Sequence, residues 1–499
     1  MRKLYVHNSL SRQREAFDPI TEGYVGMYVC GPTVYSDVHL GNCRTFTSFD
    51  VIFRFLKHLG YKVRYVRNIT DVGHLEGDVD VGGEDKIAKK ARLEQLEPME
   101  VVQKYSNGFQ QMMETFNILP PSIEPRATGH ILEQIDMIKK IIANGFAYEI
   151  NGSVYFDTPK FIAEEDAYGK LSGRVVDDLL QETRDNLKRQ DEKRDPSDFA
   201  LWIKADATHL MRWESPWSTG FPGWHLECSA MSTKYLGPHF DIHGGGTDLK
   251  FPHHENEIAQ NMGACKCTPA KYWLHANMLL LNGKKMSKSD GNSVMPQQLF
   301  SGESEHLSKG FAPMVVRFFM LQAHYRSTLD LTNDALLAAE KGYQRLMEAY
   351  KSLQRLDTKA EATTELDQEI STLIEGAYQD MCDDFNTAKA LGKLFELATK
   401  INALHNGQLK LEDLSSKTLA ALKEAYHTFL FDIFGLESSV ASAKGEEELI
   451  DGLMNLIIDL RKGARENKDW GMADKIRDTL SALAVQVKDG KDGTTWSKK

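Results

Sequence analysis

The sequence contains few cysteines, and this shortage narrows the classes of protein it can encode. Only six of its 499 residues are cysteine. They lie at Cys30, Cys43, Cys228, Cys265, Cys267 and Cys382. Such scattered usage differs from the dense frameworks of disulfide-stabilised secreted domains, so we expect a reducing, cytoplasmic setting.

Long apolar runs are also missing. No stretch approaches the ~20 consecutive apolar residues that cross a bilayer, so we expect no membrane partner. The opening segment MRKLYVHNSL has basic side chains but lacks the apolar run of a signal peptide.

Positive charge is in deficit as well. Sixty lysine and arginine residues stand against 71 aspartate and glutamate residues, which gives a net charge of −11. This balance argues against a protein that binds nucleic acid through overall positive charge, although a local basic face can still bind RNA. The length predicts about three domains.

The N-terminal region shows a strand–loop–helix–strand order. Residues 26–30 and 62–69 have strand patterns, and residues 46–59 carry apolar side chains at helical spacing. This order predicts an α/β fold with a parallel sheet that binds ligands at the carboxyl ends of its strands. A further strand is expected at 240–243, closed by three glycines. The charged stretch 177–198 predicts a solvated insertion.

Two short motifs indicate phosphate chemistry. His39-Leu40-Gly41-Asn42 opens the first predicted helix, whose N-terminus offers free N–H groups and a positive dipole end. Lys285-Met286-Ser287-Lys288 places two ammonium groups in a Ser- and Gly-rich turn, suited to charge on a departing pyrophosphate. Either motif alone is a weak signal, because such stretches are usually solvated loops. Their joint occurrence favours function.

Four further residues have the chemistry of a zinc site. His253 and Glu257 are four residues apart at a predicted helix start, so they share one helical face. Cys30 ends the first strand, and Cys228 lies in GWHLECSAM. Two thiolates, an imidazole and a carboxylate suit tetrahedral zinc. His254 is an alternative to His253.

The other four cysteines predict no site. Cys265-Lys266-Cys267 has no partner pair nearby, so it is a weak zinc signal, and we interpret both cysteines as surface filler. Cys43 and Cys382 are interpreted as small apolar filler.

Longer motifs resemble cysteinyl-tRNA synthetases, a family of class I aminoacyl-tRNA synthetases. They span most of the chain and read MYVCGPTVYSDVHLGNCRTF, RNITDVGH, GKLSGR, DPSDFALWIK, GWHLECSAM, DIHGGGTDLKFPHHENE, NGKKMSKSDGN and KDWGMADKIRDTLSALAVQVKDGKDGTTW. The resemblance implies a Rossmann-like catalytic domain with a parallel sheet and an inserted connective region, followed by an α-helical bundle and a small C-terminal α+β module. The implied divisions are 1–115 and 216–332 for the halves of the catalytic domain, 116–215 for the connective insertion, 333–436 for the bundle and 446–499 for an anticodon-binding module.

The resemblance also assigns roles residue by residue. Catalytic roles fall to His39, Asn42, Lys285 and Lys288. Contacts with ATP fall to His39, Gly41, Asn42, Gly244, Gly245, Gly246, Asp248, Lys285, Met286, Ser287 and Lys288. Contacts with cysteine fall to Cys30, Thr70 and Trp224. One zinc ion per chain would be held by Cys30, Cys228, His253 and Glu257, and magnesium would arrive with ATP.

The sequence departs from the family pattern in two places. Asn42 stands where the first motif usually has a second histidine, so no imidazolium acts at that position. The Asp- and Gly-rich loop 73–85 is longer than in many members and receives no role. The implied partners are tRNA(Cys), L-cysteine and ATP, and the expected state is a monomer.

Three functions remain open on the sequence alone. The first is ligation of cysteine to tRNA(Cys) through a cysteinyl-adenylate, with zinc selecting the substrate thiolate. The second is a small-molecule cysteine ligase of the same family, which would lack the C-terminal module. The third is a non-catalytic, zinc-containing RNA-binding protein, which would not need the lysines of the second motif. In the C-terminal module, an RNA-binding role is expected for Arg461, Lys462, Arg465, Lys468, Lys475 and Arg477, with Trp470 and Trp496.

Overall fold

The chain divides into two units, Met1–Leu436 and Glu437–Lys499. The structure, a computed structural model, describes residues 2–72, 86–165, 167–173, 192–206, 209–223, 225–286, 292, 294–361, 363–437, 453–465, 467, 469–483, 485–490 and 493–498. The loop 73–85, Trp224, Ser287, Lys288 and Lys468 lie outside the described residues. The predicted domain boundaries stay predictions.

The described strands and helices follow in chain order. The strands are β1 Tyr5–Asn8, β2 Gln13–Ala16, β3 Tyr24–Val29, β4 Lys62–Arg67, β5 Ala147–Ile150, β6 Ser153–Phe156, β7 Phe199–Lys204, β8 Gly220–Pro222, β9 Phe240–Gly246, β10 Ala270–Ala276, β11 Leu279–Leu281, β12 Lys284–Lys285, β13 Leu329–Leu331, β14 Val485–Gly490 and β15 Gly493–Lys498. The helices are α1 Leu40–His58, α2 Lys86–Glu94, α3 Pro98–Thr115, α4 Ile131–Ala143, α5 Thr158–Glu164, α6 Leu226–Leu236, α7 His253–Cys265, α8 Pro296–Ser301, α9 Pro313–Leu321, α10 Asn333–Arg355, α11 Glu365–Cys382, α12 Thr387–His405, α13 Ser416–His427, α14 453–465 and α15 Trp470–Ala482.

A four-stranded parallel sheet is the centre of the first unit. Its strand order is β10-β9-β3-β4, so the chain builds the sheet outward in both directions from the β3–β9 pair. The predicted α/β fold with a parallel sheet is therefore confirmed. The strand order changes direction between β3 and β9, where an open parallel sheet forms its ligand crevice.

Helix α1 crosses this sheet with a buried aromatic face. Phe46, Phe49 and Phe55 are at most 2% exposed. The helix begins at Leu40, before the start predicted at residue 46, because the side chain of His39 caps it by accepting a hydrogen bond from the Asn42 N–H at 3.3 Å. The first phosphate motif is therefore the first turn of the helix.

The connective region forms a second, antiparallel sheet in the order β5-β6-β7-β8. Its own core includes Phe156 stacked on Phe199, with ring centroids 4.7 Å apart. Residues 177–191 of the predicted solvated stretch lie outside the described residues. In the described part, the prediction is wrong at Asp198, which is 1% exposed. Its carboxylate accepts hydrogen bonds from the hydroxyl of Tyr148 and the N–H of Thr158, which offset the cost of burial.

Helices α10 to α13 pack together as the predicted bundle. The second unit contains α14, α15 and the antiparallel hairpin β14–β15, in which Val487 pairs with Trp496. None of the described helices combines the length and apolar character needed to span a bilayer.

A buried ion pair joins α9 to α1, and its arginine also contacts the segment that follows the last helix of the bundle. The guanidinium of Arg317 on α9 pairs with the carboxylate of Asp50 on α1, and both side chains are fully buried. Arg317 also donates hydrogen bonds of 2.7 Å to the carbonyls of Phe116 and Phe434. A third element is held by the other carboxylate oxygen of Asp50, which accepts from the N–H of Leu119 at 2.9 Å.

We expect Arg317→Met to lower the free energy of unfolding by about 3–5 kcal/mol, because it leaves the carboxylate of Asp50 buried with one cation fewer. Chemical denaturation followed by circular dichroism measures the loss. Arg345→Met is the matched control, because Arg345 is exposed and should change stability by less than about 0.5 kcal/mol. Equal stability of the two variants would contradict the anchoring role of Arg317.

Candidate active site

The carboxyl ends of the sheet strands open into one cavity of about 490 Å³. Its lining combines residues that follow β3, β4, β9 and β10 with the first turn of α1. Of the residues expected to act, the lining includes Cys30, His39, Gly41, Asn42, Thr70, Cys228, Gly246, Asp248, His253, Lys285 and Met286. Motifs far apart in the sequence thus share one cavity.

The mouth of the cavity has the features of a phosphate site. His39 is exposed, and the N-terminus of α1 lies beside it. Lys285 is exposed at the end of β12, and its carbonyl accepts a hydrogen bond of 3.2 Å from the side chain of Asn292. A helix N-terminus and a lysine that face one cavity suit a polyphosphate.

The three glycines of β9 divide into two kinds. Gly246 lines the cavity, whereas Gly244 and Gly245 are buried, are not among the lining residues and are packing positions. A Cβ on Gly244 would lie 2.2 Å from the ring of Phe49, and one on Gly245 would lie 2.9 Å from the ring of His254. Their small size therefore lets α1 and α7 approach the sheet.

Arg44 supports another wall of the cavity. Its buried guanidinium donates hydrogen bonds to the carbonyls of Asn277, His324 and Ser327 at 3.0, 3.3 and 2.5 Å. Burial lowers the pKa of Arg44 to about 10. Because Asn277 lines the cavity directly after β10, Arg44 holds the backbone of that wall in place.

A buried cluster of thiol, imidazole and carboxylate groups forms the back of the cavity. The Sγ of Cys30 lies 3.9 Å from the Sγ of Cys228, 3.6 Å from Nε2 of His253 and 3.6 Å from Oε1 of Glu257. His253 Nε2 and Glu257 Oε1 are 3.1 Å apart. His254 Nε2 is a further neighbour, 3.3 Å from the Sγ of Cys30.

These separations fit a tetrahedral zinc ion. Zinc bonds of about 2.3 Å to sulfur and roughly 2.0–2.1 Å to nitrogen or oxygen, at tetrahedral angles, place neighbouring ligand atoms roughly 3.3–3.8 Å apart. The donor set of two sulfurs, one nitrogen and one oxygen also matches the preferences of zinc. The ligand atoms that all lie within 4.8 Å of one another belong to Cys30, His253, His254 and Glu257. Cys228 is not in this group, although its Sγ lies 3.9 Å from that of Cys30.

The ionisation of the cluster is set by its members. Burial opposes the Cys228 thiolate, but hydrogen bonds with Cys30 and His253 lower the pKa of this thiol to about 6. Burial and the neighbouring Cys228 raise the pKa of Cys30 well above its usual value, so Cys228 ionises first. Burial opposes the charged form of Glu257, yet His243 and His253 lower its pKa to about 2. Burial opposes the cationic form of His253, but hydrogen bonds with Cys228 and Glu257 raise its pKa well above the usual value. One positive charge then stands against two negative charges, so the cluster stays anionic and attracts a cation.

Other histidines orient this cluster, and the sequence reasoning missed them. His243 Nε2 lies 2.8 Å from Glu257 Oε2, and His225 Nδ1 lies 2.7 Å from His253 Nδ1. His254 Nδ1 contacts Nε2 of His275 at 2.9 Å. His225 and His243 stand inside the quoted motifs GWHLECSAM and DIHGGG, and that position was the available signal.

Polar residues beside the cluster form a hydrogen-bonded network. The Thr70 hydroxyl donates to Glu227 Oε1 at 2.9 Å, and the Asn68 side-chain amide donates to the Thr70 hydroxyl at 3.0 Å. Asn68 also accepts from the N–H of Gly31 at 2.8 Å. Burial, then the neighbouring Cys228, raises the pKa of Glu227 well above its usual value. Asn68 and Glu227 were missed, although each lies within three residues of a predicted site residue.

The remaining cysteines require one correction. Cys43 and Cys382 are buried and free, in agreement with the interpretation as apolar filler. Cys265 and Cys267 form a disulfide, so interpreting them as unpaired filler is wrong. The physical reason is the left-handed conformation of Lys266, φ 57°, which turns the chain so that the two side chains meet.

Comparisons with family models cover most of the chain. The tRNA synthetases class I (C) catalytic domain matches residues 16–341. A DALR domain matches 377–437, and the cysteinyl-tRNA ligase anticodon binding domain matches 454–496.

Relatives and solved structures agree with these matches. Cysteine–tRNA ligases of Bacteroides thetaiotaomicron and Porphyromonas gingivalis are 53% and 52% identical, over 99% of this chain and 99% of each relative. The ligase of Deinococcus radiodurans is 49% identical over 99% of this chain and 96% of its own. The structure of Mycobacterium tuberculosis methionyl-tRNA synthetase with methionyl-adenylate is 14% identical, with a TM-score of 0.56 over 82% of this chain and 89% of that chain.

The parallel sheet, its cavity and the structural likeness define the fold of a class I aminoacyl-tRNA synthetase. The identity along the whole chain is specific enough to go further: the chain belongs to the cysteine–tRNA ligase family.

Proposed function

We propose that this chain activates L-cysteine with ATP and transfers the cysteinyl group to tRNA(Cys). The observation that carries the proposal is the shared cavity, which has a zinc-type cluster at its back and a phosphate-type mouth. A thiol substrate bound at the back would direct its carboxylate toward a nucleotide at the mouth. The family of the chain supplies independent support.

In the first step, a carboxylate oxygen of cysteine attacks the α-phosphate of ATP, and the bond to the bridging oxygen of pyrophosphate breaks. The protein contributes mainly positioning and electrostatics to this reaction. The N-terminus of α1 and His39 bind phosphate oxygens, and Lys285 stabilises the negative charge that develops on the leaving group. We assign the same task to Lys288. Magnesium enters with ATP.

In the second step, a ribose hydroxyl of the terminal adenosine of tRNA attacks the adenylate carbonyl, and AMP leaves. Membership of class I supports the 2′-hydroxyl as the nucleophile. The adenylate is held for this attack by Gly41, Asn42, Gly246, Asp248 and Met286 at the cavity wall.

Selection of cysteine falls to the back of the cavity. Cys30, Cys228, His253 and Glu257 would hold one zinc ion, with His254 as the alternative imidazole. Zinc bound there supplies a Lewis-acid position at which the substrate thiol binds as a thiolate. Thr70, with Asn68 and Glu227 behind it, borders the space for the amino group, and Trp224 is assigned to the same pocket. We also propose that the protein acts in the cytoplasm as a monomer.

The zinc assignment predicts that purified protein contains one zinc ion per chain and that Cys228→Ala loses it. The lost thiolate removes one of four donors, so metal analysis should show zinc reduced by at least about tenfold, together with loss of cysteine-dependent pyrophosphate exchange.

The matched control is Cys43→Ala, because Cys43 is also buried but is not part of the cluster. This control should keep its zinc. A folded Cys228→Ala protein that keeps full zinc content would contradict the assignment.

The phosphate assignment predicts that Lys285→Ala slows cysteine-dependent pyrophosphate exchange by about 10²–10³, the range for removing one preorganised charge stabiliser. Lys284→Ala is the neighbouring control, because Lys284 is equally exposed but does not line the cavity. The control should change the rate by less than about threefold. Zinc content should be unchanged in both. Equal rates in the two variants would show that Lys285 is only a solvated residue.

A small-molecule cysteine ligase is the nearest alternative, and the C-terminal unit distinguishes it. Truncation near Gly445 removes the residues matched by the anticodon binding domain. We expect pyrophosphate exchange to continue, because the described cavity lies wholly upstream, and the tRNA concentration needed for half-maximal charging to rise by at least about tenfold. Charging that is unaffected by the truncation would refute anticodon recognition by this unit, and absence of tRNA(Cys) charging by the full chain would refute the proposed ligase.

A further inference from the structure

Two cysteines outside the active cavity differ from the rest in exposure. Cys265 is exposed and Cys267 is partly exposed, whereas Cys30, Cys43, Cys228 and Cys382 are buried. The cysteines that small molecules in solvent can reach most readily are therefore adjacent in space, and the structure joins them in a disulfide.

The local backbone brings these two sulfurs together. Helix α7 ends at Cys265, and Lys266 caps it in the left-handed region with its N–H donated to the carbonyl of Met262. The two Cα atoms are then 5.4 Å apart, inside the usual range for bonded cysteines. The Sγ of Cys267 also lies 3.4 Å from the carbonyl of Pro238, in the turn before β9, so the second cysteine is seated against a fixed neighbour.

The pair is separate from the zinc-type cluster, although both lie on α7. His253 and Glu257 occupy the first turns of the helix, and Cys265 is its last residue. At a rise of 1.5 Å per residue, Cys265 lies about 12 Å beyond Glu257 along the axis. The group of possible metal ligands found among the described residues does not include either member of the pair.

We propose that Cys265 and Cys267 are a thiol–disulfide exchange site for low-molecular-weight disulfides such as cystine or oxidised glutathione. The thiolate of Cys265 attacks one sulfur of the small disulfide, and one small thiol departs with a proton. The thiol of Cys267 then attacks the mixed disulfide at Cys265, and the second small thiol leaves. Two protein thiols become one disulfide while one small disulfide becomes two thiols, so the electrons balance.

The test uses the full-length, zinc-loaded protein, reduced and then freed of reductant. It is incubated with cystine in one arm and oxidised glutathione in the other, and its intact mass and peptide map are followed. We expect a loss of two hydrogens located at Cys265 and Cys267, at least about tenfold faster than any change at another cysteine. Reaction with only one of the two disulfides would identify the source, and reaction with both would define the class.

Cys267→Ser separates exchange from simple air oxidation. Without the second thiol, the mixed disulfide at Cys265 cannot resolve, so the protein should carry one covalently attached half of the small disulfide. Cys382→Ser is the matched control and should behave as the wild type, because Cys382 is buried. Zinc content should be the same in both variants, a readout that stands whether or not the proposed ligase activity is found. Pyrophosphate exchange should also be the same in both.

Three results would overturn the proposal. The first is an unchanged thiol count at Cys265 and Cys267 in both arms. The second is a Cys267→Ser protein with no attached thiol. The third is oxidation of Cys30 or Cys228, with release of zinc, at the same rate as oxidation of the pair.

Discussion

The pairing of β3 with β9 is the contact on which the active site depends. Tyr28 lies opposite His243 and Val29 opposite Gly244, although the two strands are separated by about two hundred residues of chain. One residue beyond this ladder, the N–H of Cys30 donates to the carbonyl of Gly244 at 3.1 Å. The first thiol of the cluster is thus placed by a backbone hydrogen bond to the strand that leads into α7.

The placement of α1 and α7 against the sheet requires the glycines of β9 at positions 244 and 245. Any side chain at Gly244 would meet the ring of Phe49 on α1, and any at Gly245 would meet His254 on α7. Both helices would have to move outward, carrying the phosphate motif and the metal-type ligands with them. Glycine at these positions therefore acts through packing, by letting α1 and α7 lie against one strand.

Charge is arranged along the cavity in a way that suits a two-substrate reaction. The back is anionic and buried, with Cys228 and Glu257 ionising most readily, whereas the mouth presents a helix N-terminus and Lys285. The negative charge at the back therefore favours a bound cation, and the positive charge at the mouth favours a bound polyphosphate. Because electrostatic interactions are stronger at a given distance in a buried, low-dielectric setting, the two ends favour one orientation of each substrate.

Much of this arrangement could be predicted from the sequence, and the features that could not be predicted were missed for physical reasons. The βαβ order, the phosphate motif and the four candidate metal ligands were visible because local patterns or short spacings reveal them. The orienting contacts of His225, His243 and Asn68 were not, because each depends on side chains brought together only by sheet pairing. The disulfide between Cys265 and Cys267 depends on the left-handed conformation of Lys266. Lysine rarely adopts this conformation, so the sequence does not predict it.

The helical bundle supports the wall of the cavity at Asn277, although no residue of the bundle is in the described lining. Asp384, in the turn between α11 and α12, accepts hydrogen bonds from the hydroxyl of Tyr325 and the guanidinium of Arg326. The backbone of Tyr325 and Arg326 in turn binds Asn277. The N–H of Asn277 donates to the carbonyl of Tyr325 at 2.8 Å, and the side-chain amide of Asn277 donates to the carbonyl of Arg326 at 2.9 Å. Arg44 on α1 also holds Asn277, by donating a hydrogen bond to its carbonyl.

These contacts make the bundle part of the active site's foundation. Asp384 and the next residue, Phe385, both adopt positive φ, at 61° and 55°, a strained conformation for non-glycine residues that the surrounding packing must sustain. This strained turn contacts Tyr325 and Arg326, and these two residues bind Asn277 at the cavity wall. The bundle therefore supports the active site by fixing the backbone of this cavity wall, a role that requires no residue of the bundle in the described lining.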